Sequence, residues 1–250
     1  MSISLVGTPQ VATSSGTVAS QATSGMNIIG ATLLVVVITY FNSTTADMSV
    51  SSTNNATGKW TALSAYGTTS GTGLSQIFYC VAPTTSASEI FTVSTTLGGG
   101  DYLNIVATAF SGTLITSSVY QAGSNTGADD ATGTATTIQP GSVTPSQTNT
   151  LIVTGIKFTG VGVTASIDSS FSIAAQADDS VGSDIALGYL IDTSSLAINP
   201  KWTVSVAGDL ASTIAVFLPA ASAGYPGDFV LESGSGHFLL ESGHGQLELE

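Results

Sequence analysis

The residue types that perform nucleophilic catalysis are scarce in this chain. Its two histidines, His237 and His244, both lie near the C-terminus. Serine or cysteine nucleophiles need a histidine held against them and oriented by a carboxylate. The sequence contains no Gly-x-Ser-x-Gly segment that would expose a serine at a strand-to-helix turn. These observations predict that the protein is not an enzyme of this kind, and we expect it to be non-enzymatic.

Paired carboxylates are the second chemistry to consider, because glycosidases need two of them facing one another across a cleft. The candidates lie in the segments GADDATG and QADDSVGSD and after Ile191: Asp129, Asp130, Asp178, Asp179, Asp184 and Asp192. Sequence spacing does not fix their separation in space. Aspartates in such segments are also typical of turns, where the carboxylate accepts nearby backbone N–H groups, and we favour that interpretation.

The same loops offer oxygen ligands for calcium. Asp178 and Asp184 are separated by a segment that contains Ser180 and Ser183, and Ca²⁺ prefers carboxylate and other oxygen ligands. No EF-hand loop is present. A structural calcium ion is a minor alternative, and we predict no required cofactor and no transition-metal site.

Aromatic side chains raise the possibility of a sugar-stacking surface. The candidates are Trp60, Tyr66, Tyr79, Tyr102, Tyr120, Tyr189 and Trp202. Aromatic residues at strand spacing are more often part of a core, where their large area is buried. Glycan binding is nevertheless the small-ligand hypothesis that the sequence favours most.

Charge excludes two classes of partner. The cations are Lys59, Lys157 and Lys201, arginine is absent, and the formal net charge is −13. Without a basic patch the chain is not expected to bind nucleic acid or an anionic membrane. Cys80 lies alone in the apolar run QIFYCVA, where we predict a buried thiol and no disulfide.

The apolar run from Met26 to Phe41 is too short for a membrane helix and is rich in Val and Ile. We predict a strand buried on both faces, with Leu33, Val35 and Val37 facing one layer. The alternate residues would face another. The N-terminus shows no basic segment followed by an apolar one, so folding in a cytoplasm is expected.

Short β-branched and aromatic segments recur between turn residues along most of the chain. This pattern predicts an all-β fold, a two-sheet antiparallel β-sandwich followed by a C-terminal three-stranded β-meander. The predicted organisation is an N-terminal arm (1–24), a sandwich domain (25–220), a linker (221–227) and a repeat tail (228–250).

Several segments together resemble a β-sandwich family of bacterial and phage structural proteins, Ig-like or jelly-roll-like in type. They are LLVVVITY, SSTNNATGKWTAL, LSQIFYCVAP, EIFTVSTT, YLNIVATAFSG and ASTIAVFLPA, within residues 25–220. The resemblance implies a fold and not an activity. The terminal DFVLESGSG and HFLLESGHG also resemble short C-terminal repeats of phage virion proteins, which implies a place in a virion assembled in the host cytoplasm.

The repeat tail is amphipathic when its strands are paired through the SGSG and SGHG loops. One face then carries the apolar residues Phe229, Leu231, Phe238, Leu240, Leu247 and Leu249. A sheet this small needs a cover, because burying each such side chain contributes about 1.5 to 3 kcal/mol. The six residues are therefore the predicted assembly interface.

The sequence thus predicts a structural protein of a bacteriophage virion, such as a capsid decoration or other head-associated protein. Its partners would be other virion proteins and copies of itself, bound through the tail. The alternative is a glycan-binding adhesin or a tail-fibre, receptor-binding module.

Overall fold

A computed structural model describes residues 2–41, 47–68, 73–98, 100–168, 170–178 and 184–220. These residues form an all-β, antiparallel fold, as the sequence predicts. The strands are β1 Ser4–Ala12, β2 Ser20–Ala22, β3 Leu33–Tyr40, β4 Met48–Ser52, β5 Trp60–Ala62, β6 Tyr66–Thr68, β7 Gly73–Val81, β8 Phe91–Thr95, β9 Asn104–Ser111, β10 Thr126–Ile138, β11 Thr150–Phe158, β12 Ala165–Ile167, β13 Ser172–Ala177, β14 Asp184–Asp192 and β15 Trp202–Phe217. Short 3-10 turns occur at Thr57–Lys59 and Ser117–Val119.

The described strands form three sheets, where the sequence predicted two. The central sheet has the order β1-β9-β3-β7-β5, with β6 also paired to β7. The second sheet has the order β10-β15-β11-β14-β13, with β12 beside β15, and the third is β2-β8-β4. Cores on the two faces of the central sheet join it to the other two.

Strand β3 lies in the middle of the central sheet and is buried along its whole length. Leu33, Val35 and Val37 pack in the core shared with the second sheet. The alternate residues Leu34 and Val36 pack in the core that contains β4 and β8 of the third sheet. The prediction of a strand buried on both faces, and of which residues face each layer, is confirmed. No helix among the described residues is long and apolar enough to span a membrane.

The outer face of the second sheet is covered by its own chain. Trp202, at the start of β15, is fully buried, and its indole Nε1 donates to Thr154 Oγ1 at 3.0 Å. Phe171 and Val143 pack over Ile152 and neighbouring apolar residues of the sheet. The long β15 therefore contributes both to the sheet and to its cover.

Two local expectations were wrong. The alternation in Ile105 to Phe110 predicted one wet face, but every one of these residues is buried because β9 lies inside the central sheet. Residues Leu114 to Tyr120 were expected to form a strand and instead contain the turn Ser117–Val119. Residues 1–24, predicted as an arm, supply β1 and β2. The predicted linker and repeat tail lie outside the described residues.

The central and second sheets approach most closely at Gly155 of β11. A Cβ placed on Gly155 would overlap the side chain of Val37 in β3. Any larger residue at this position must therefore separate the sheets or displace Val37. The absence of a side chain at Gly155 sets the spacing of the core between these two sheets.

We expect Gly155→Ala to lower the free energy of unfolding by about 1 to 3 kcal/mol, since overpacked cores lose stability in this range. The check is denaturant unfolding of a double-mutant cycle. Val37→Ala removes the overlapping atoms and should recover part of the loss, whereas Val36→Ala, on the opposite face, should add to it independently. Additive behaviour of Gly155→Ala with Val37→Ala would contradict this account.

Candidate functional site

The predicted assembly residues lie outside the described part of the chain. This applies to Phe229, Leu231, Phe238, Leu240, Leu247 and Leu249, and to both histidines, His237 and His244. Their roles therefore remain predictions. The body can be examined directly for the other chemistry that the sequence suggested.

The aspartates do not form a catalytic pair among the described residues. Asp129 and Asp130 are neighbours in β10 and so point to opposite faces of the sheet. Asp130 accepts hydrogen bonds from the Thr132 hydroxyl at 2.6 Å and from its backbone N–H at 3.0 Å, and these bonds lower the pKa of its carboxyl. Asp192 accepts from the Ser194 N–H at 3.1 Å. These bonds match the turn role that the sequence favoured.

The proposed calcium ligands are only partly described. Asp178 accepts a hydrogen bond from the Gly162 N–H, and Asp184 is buried at the start of β14. Asp179, Ser180 and Ser183 lie outside the described residues. Within the described ranges, no group of three or more metal-ligating side chains comes together.

The aromatic candidates are engaged in the interior rather than displayed. Trp202 and Tyr79 are buried, and the remaining five are half-buried. Trp60 packs edge-on against Phe91 and donates through Nε1 to the Asn55 carbonyl at 3.2 Å. Tyr79 packs against Tyr120 and Phe217 between the sheets. None of the seven presents an exposed ring, so the described body offers no aromatic platform for stacking.

Cys80 is fully buried in the core between the central and third sheets. Burial raises the pKa of its thiol to about 11, with Lys59 opposing and Glu89 adding to the shift. The thiolate is the reactive form of cysteine. The prediction of a buried thiol is confirmed.

A buried carboxylate that the sequence did not single out organises the loops between these two sheets. Glu89 accepts from Ser52 Oγ at 2.6 Å, the Asn54 N–H at 2.8 Å and Asn54 Nδ2 at 2.7 Å. Asn55 Nδ2 and Ser86 Oγ also donate to it, at 3.0 and 2.8 Å. Burial acts to raise the pKa of Glu89, but these hydrogen bonds outweigh burial and the pKa is lowered.

Asn55 completes this network from the other side. Its Oδ1 accepts from the Thr84 N–H at 2.8 Å, and its Nδ2 donates to the Thr84 carbonyl at 3.0 Å. The acceptor capacity of Glu89 is largely taken up by protein donors, so the carboxylate is suited to holding loops rather than to proton transfer. A signal existed in the sequence, where Glu89 is an isolated acid among Ser and Thr residues and Asn54-Asn55 lies in a turn segment.

Several chain ends meet at one end of the molecule. The strand-like segment after β15 pairs with the loop after β9 through a bridge between Thr113 and Pro219. The Ala220 N–H donates to the Gly112 carbonyl at 2.7 Å. Gly112 has a φ of +76° and lies so close to the Ser2 carbonyl that a Cβ would not fit. The start of the described chain and its last described residue are therefore neighbours.

A shallow cleft of about 340 Å³ lies at this end, beside the edge of the central sheet. It is lined by Lys59, Thr61, Tyr79, Val81, Ala82, Ile115 and Ser117. Ile115 is 62% exposed, which is unusual for an isoleucine next to a buried core. The cleft combines an apolar wall with a single cation. Its residues come from three separate segments, and sequence reasoning did not bring them together.

No protein-family model, curated protein or solved structure matches the chain. A function for the protein must therefore be inferred from the geometry of the described body and from the sequence.

We expect Glu89→Gln to lower the free energy of unfolding by about 2 to 4 kcal/mol at neutral pH, because an amide cannot accept all five bonds and leaves buried donors unpaired. The exposed Asp129→Asn is the matched control and should change stability by less than about 0.5 kcal/mol. Since the folded-state pKa of Glu89 is lowered, its contribution is complete above the unfolded pKa of about 4.3 and is lost as the pH falls through the folded value.

The pH dependence is measured by denaturant unfolding of both proteins across the acid range. The stability gap between wild type and Glu89→Gln should be constant from neutral pH down to about pH 5 and then narrow. A gap that widens with acidification would show that the carboxylate is not stabilised in its charged form.

Cys80 should react with a thiol reagent at pH 8 only as fast as the protein opens, because the thiol is buried and mostly protonated at that pH. Denatured protein should react at once. The exposed variant Val161→Cys, made with Cys80→Ala, provides the reactive control. Fast stoichiometric labelling of native wild type would contradict this placement.

Proposed function

We propose that the protein is a non-enzymatic structural component of a bacteriophage virion, a capsid decoration or other head-associated protein. Its β-sandwich body is joined to the particle, or to other copies, by the C-terminal repeat. The observation that carries this proposal is the way the body holds the root of the repeat. The resemblance of both parts of the chain to phage proteins supplies the virion setting.

The root of the repeat is tied into the body by backbone hydrogen bonds on both sides. The Leu218 N–H donates to the Val119 carbonyl at 2.7 Å, and the Leu114 N–H donates to the Leu218 carbonyl at 3.1 Å. The Ala220 N–H then bonds to Gly112. A load applied to the repeat would reach the sheets through these bonds and not through a free linker alone. Such an attachment suits an anchoring element.

The polar chemistry of the body supports a scaffold role. Glu89 is surrounded by loop donors, Asp130 and Asp192 close turns, and Cys80 is buried. Each of these groups stabilises local structure. The interaction surface is therefore sought in the repeat, whose predicted three-stranded meander has an apolar face that must be covered.

The test compares full-length protein with residues 1–220 for oligomeric state and for incorporation into particles. Truncation after Ala220 keeps every described strand. We expect it to abolish incorporation and to lower the oligomeric state while the circular dichroism spectrum stays that of a β protein. Retention of both the native oligomer and incorporation would overturn the proposal.

Point variants separate the apolar face from the charged one. Leu240→Asp should act like the truncation, because it places a charge on the face that docks. Glu241→Gln is the matched control on the opposite face and should incorporate normally. Equal effects of the two variants would mean that the apolar face is not the contact.

A further inference from the structure

The cleft at the chain ends has an open strand edge. Strand β5 is the last strand of the central sheet among the described residues and pairs with β7 on one side only. Thr61 and Ala62 are exposed. An unpaired strand edge can accept a further strand through backbone hydrogen bonds. The side chains of an added strand would alternate between its two faces, one of them toward the cleft.

The C-terminal segment leaves the body next to this cleft. Leu114, which bonds to Leu218, immediately precedes the cleft residue Ile115. The chain then runs past Gly112, away from Ile115. The seven residues 221–227 can span up to about 25 Å. Tyr225-Pro226-Gly227-Asp228 has proline and glycine at the central positions favoured in a type II turn. A reversal there would direct the following residues back toward Ile115.

The residues after this turn match the cleft chemically. In an extended Asp228–Glu232 segment, Phe229 and Leu231 share one face. These apolar side chains suit the wall formed by Ile115 and Val81. Residues 221–250 contain five acids and no Lys or Arg, whereas the charged residue of the cleft is Lys59, whose Nζ also bonds to Thr84 Oγ1 at 3.1 Å.

We infer that the cleft binds the first strand of the repeat, Asp228–Glu232, from the same chain, beside β5. The inference rests on the proposed function only in treating the repeat as an assembly element. Docking of the first strand fixes the direction of the rest of the repeat, His237–Glu250, which is left to contact the partner. The short connection favours the same chain over a second copy, because it gives a high effective concentration.

Disulfide trapping tests this placement. Ile115→Cys and Leu231→Cys are combined in full-length protein with Cys80→Ala, and the dilute protein is oxidised mildly. A disulfide requires Cα atoms within about 7 Å. We expect an intramolecular bond, seen as a monomer with altered mobility on non-reducing gels and as a linked peptide by mass spectrometry.

The matched control replaces Ile115→Cys with Val161→Cys. Val161 is 72% exposed and lies beyond the end of β11 that is remote from Phe217. Its crosslinking with Leu231→Cys should be severalfold slower. Equal rates for the two positions would overturn the inference. Disulfide-linked dimers through Cys at 115 would also overturn it, by assigning the cleft to the repeat of a second copy.

A second measurement uses a protease that cuts after glutamate. Lys59→Glu should raise the rate of cleavage after Glu232 severalfold, because like charge weakens docking, whereas Lys201→Glu, at another exposed lysine, should not. Equal rates would count against the cleft. If incorporation requires the repeat but neither measurement links it to the cleft, this inference fails alone. If the truncated protein incorporates, the proposed function fails whatever the disulfide result.

Discussion

Burial of the central sheet on both faces is the constraint on which the rest of the structure depends. Strand β3 has eight consecutive residues that are all buried, and each fully buried Leu, Val or Ile contributes about 1.5 to 3 kcal/mol. A sheet with two apolar faces needs two covers. The third sheet covers one face and the second sheet the other, so the layered arrangement follows from this one sheet.

Covering both faces forces the chain to pass between layers, and those crossings carry the buried polar groups. The loops between β4 and β5 and between β7 and β8 each connect the third sheet with the central one. Glu89 and Asn55 lie in these loops and bond to each other. Their network satisfies backbone groups that the crossing removes from water. The one strongly bonded carboxylate of the described body is thus a consequence of its layered fold.

The features predicted correctly are those that depend on local pattern. The continuous apolar run at β3 predicted a doubly buried strand, and the apolar surroundings of Cys80 predicted a buried thiol. Ile105 to Phe110 misled because small Ala and Thr residues look polar or neutral in an alternating pattern, yet they fit between closely packed sheets. The Glu89 network and the cleft join residues far apart in the chain, such as Lys59 and Ile115, and only the strand order brings these together.

The body's apolar residues are mostly used between its own sheets, which limits how it can associate. Association through such a surface needs an added element, and the repeat supplies apolar side chains on a chain segment that the body holds at its root. The same segment carries five acids in a protein of net charge −13. Copies therefore repel at a distance, within a screening length of about 8 Å at physiological salt. Contact must rely on short-range burial of the repeat, and a neighbouring cation such as Lys59 reduces the charge that this burial has to overcome.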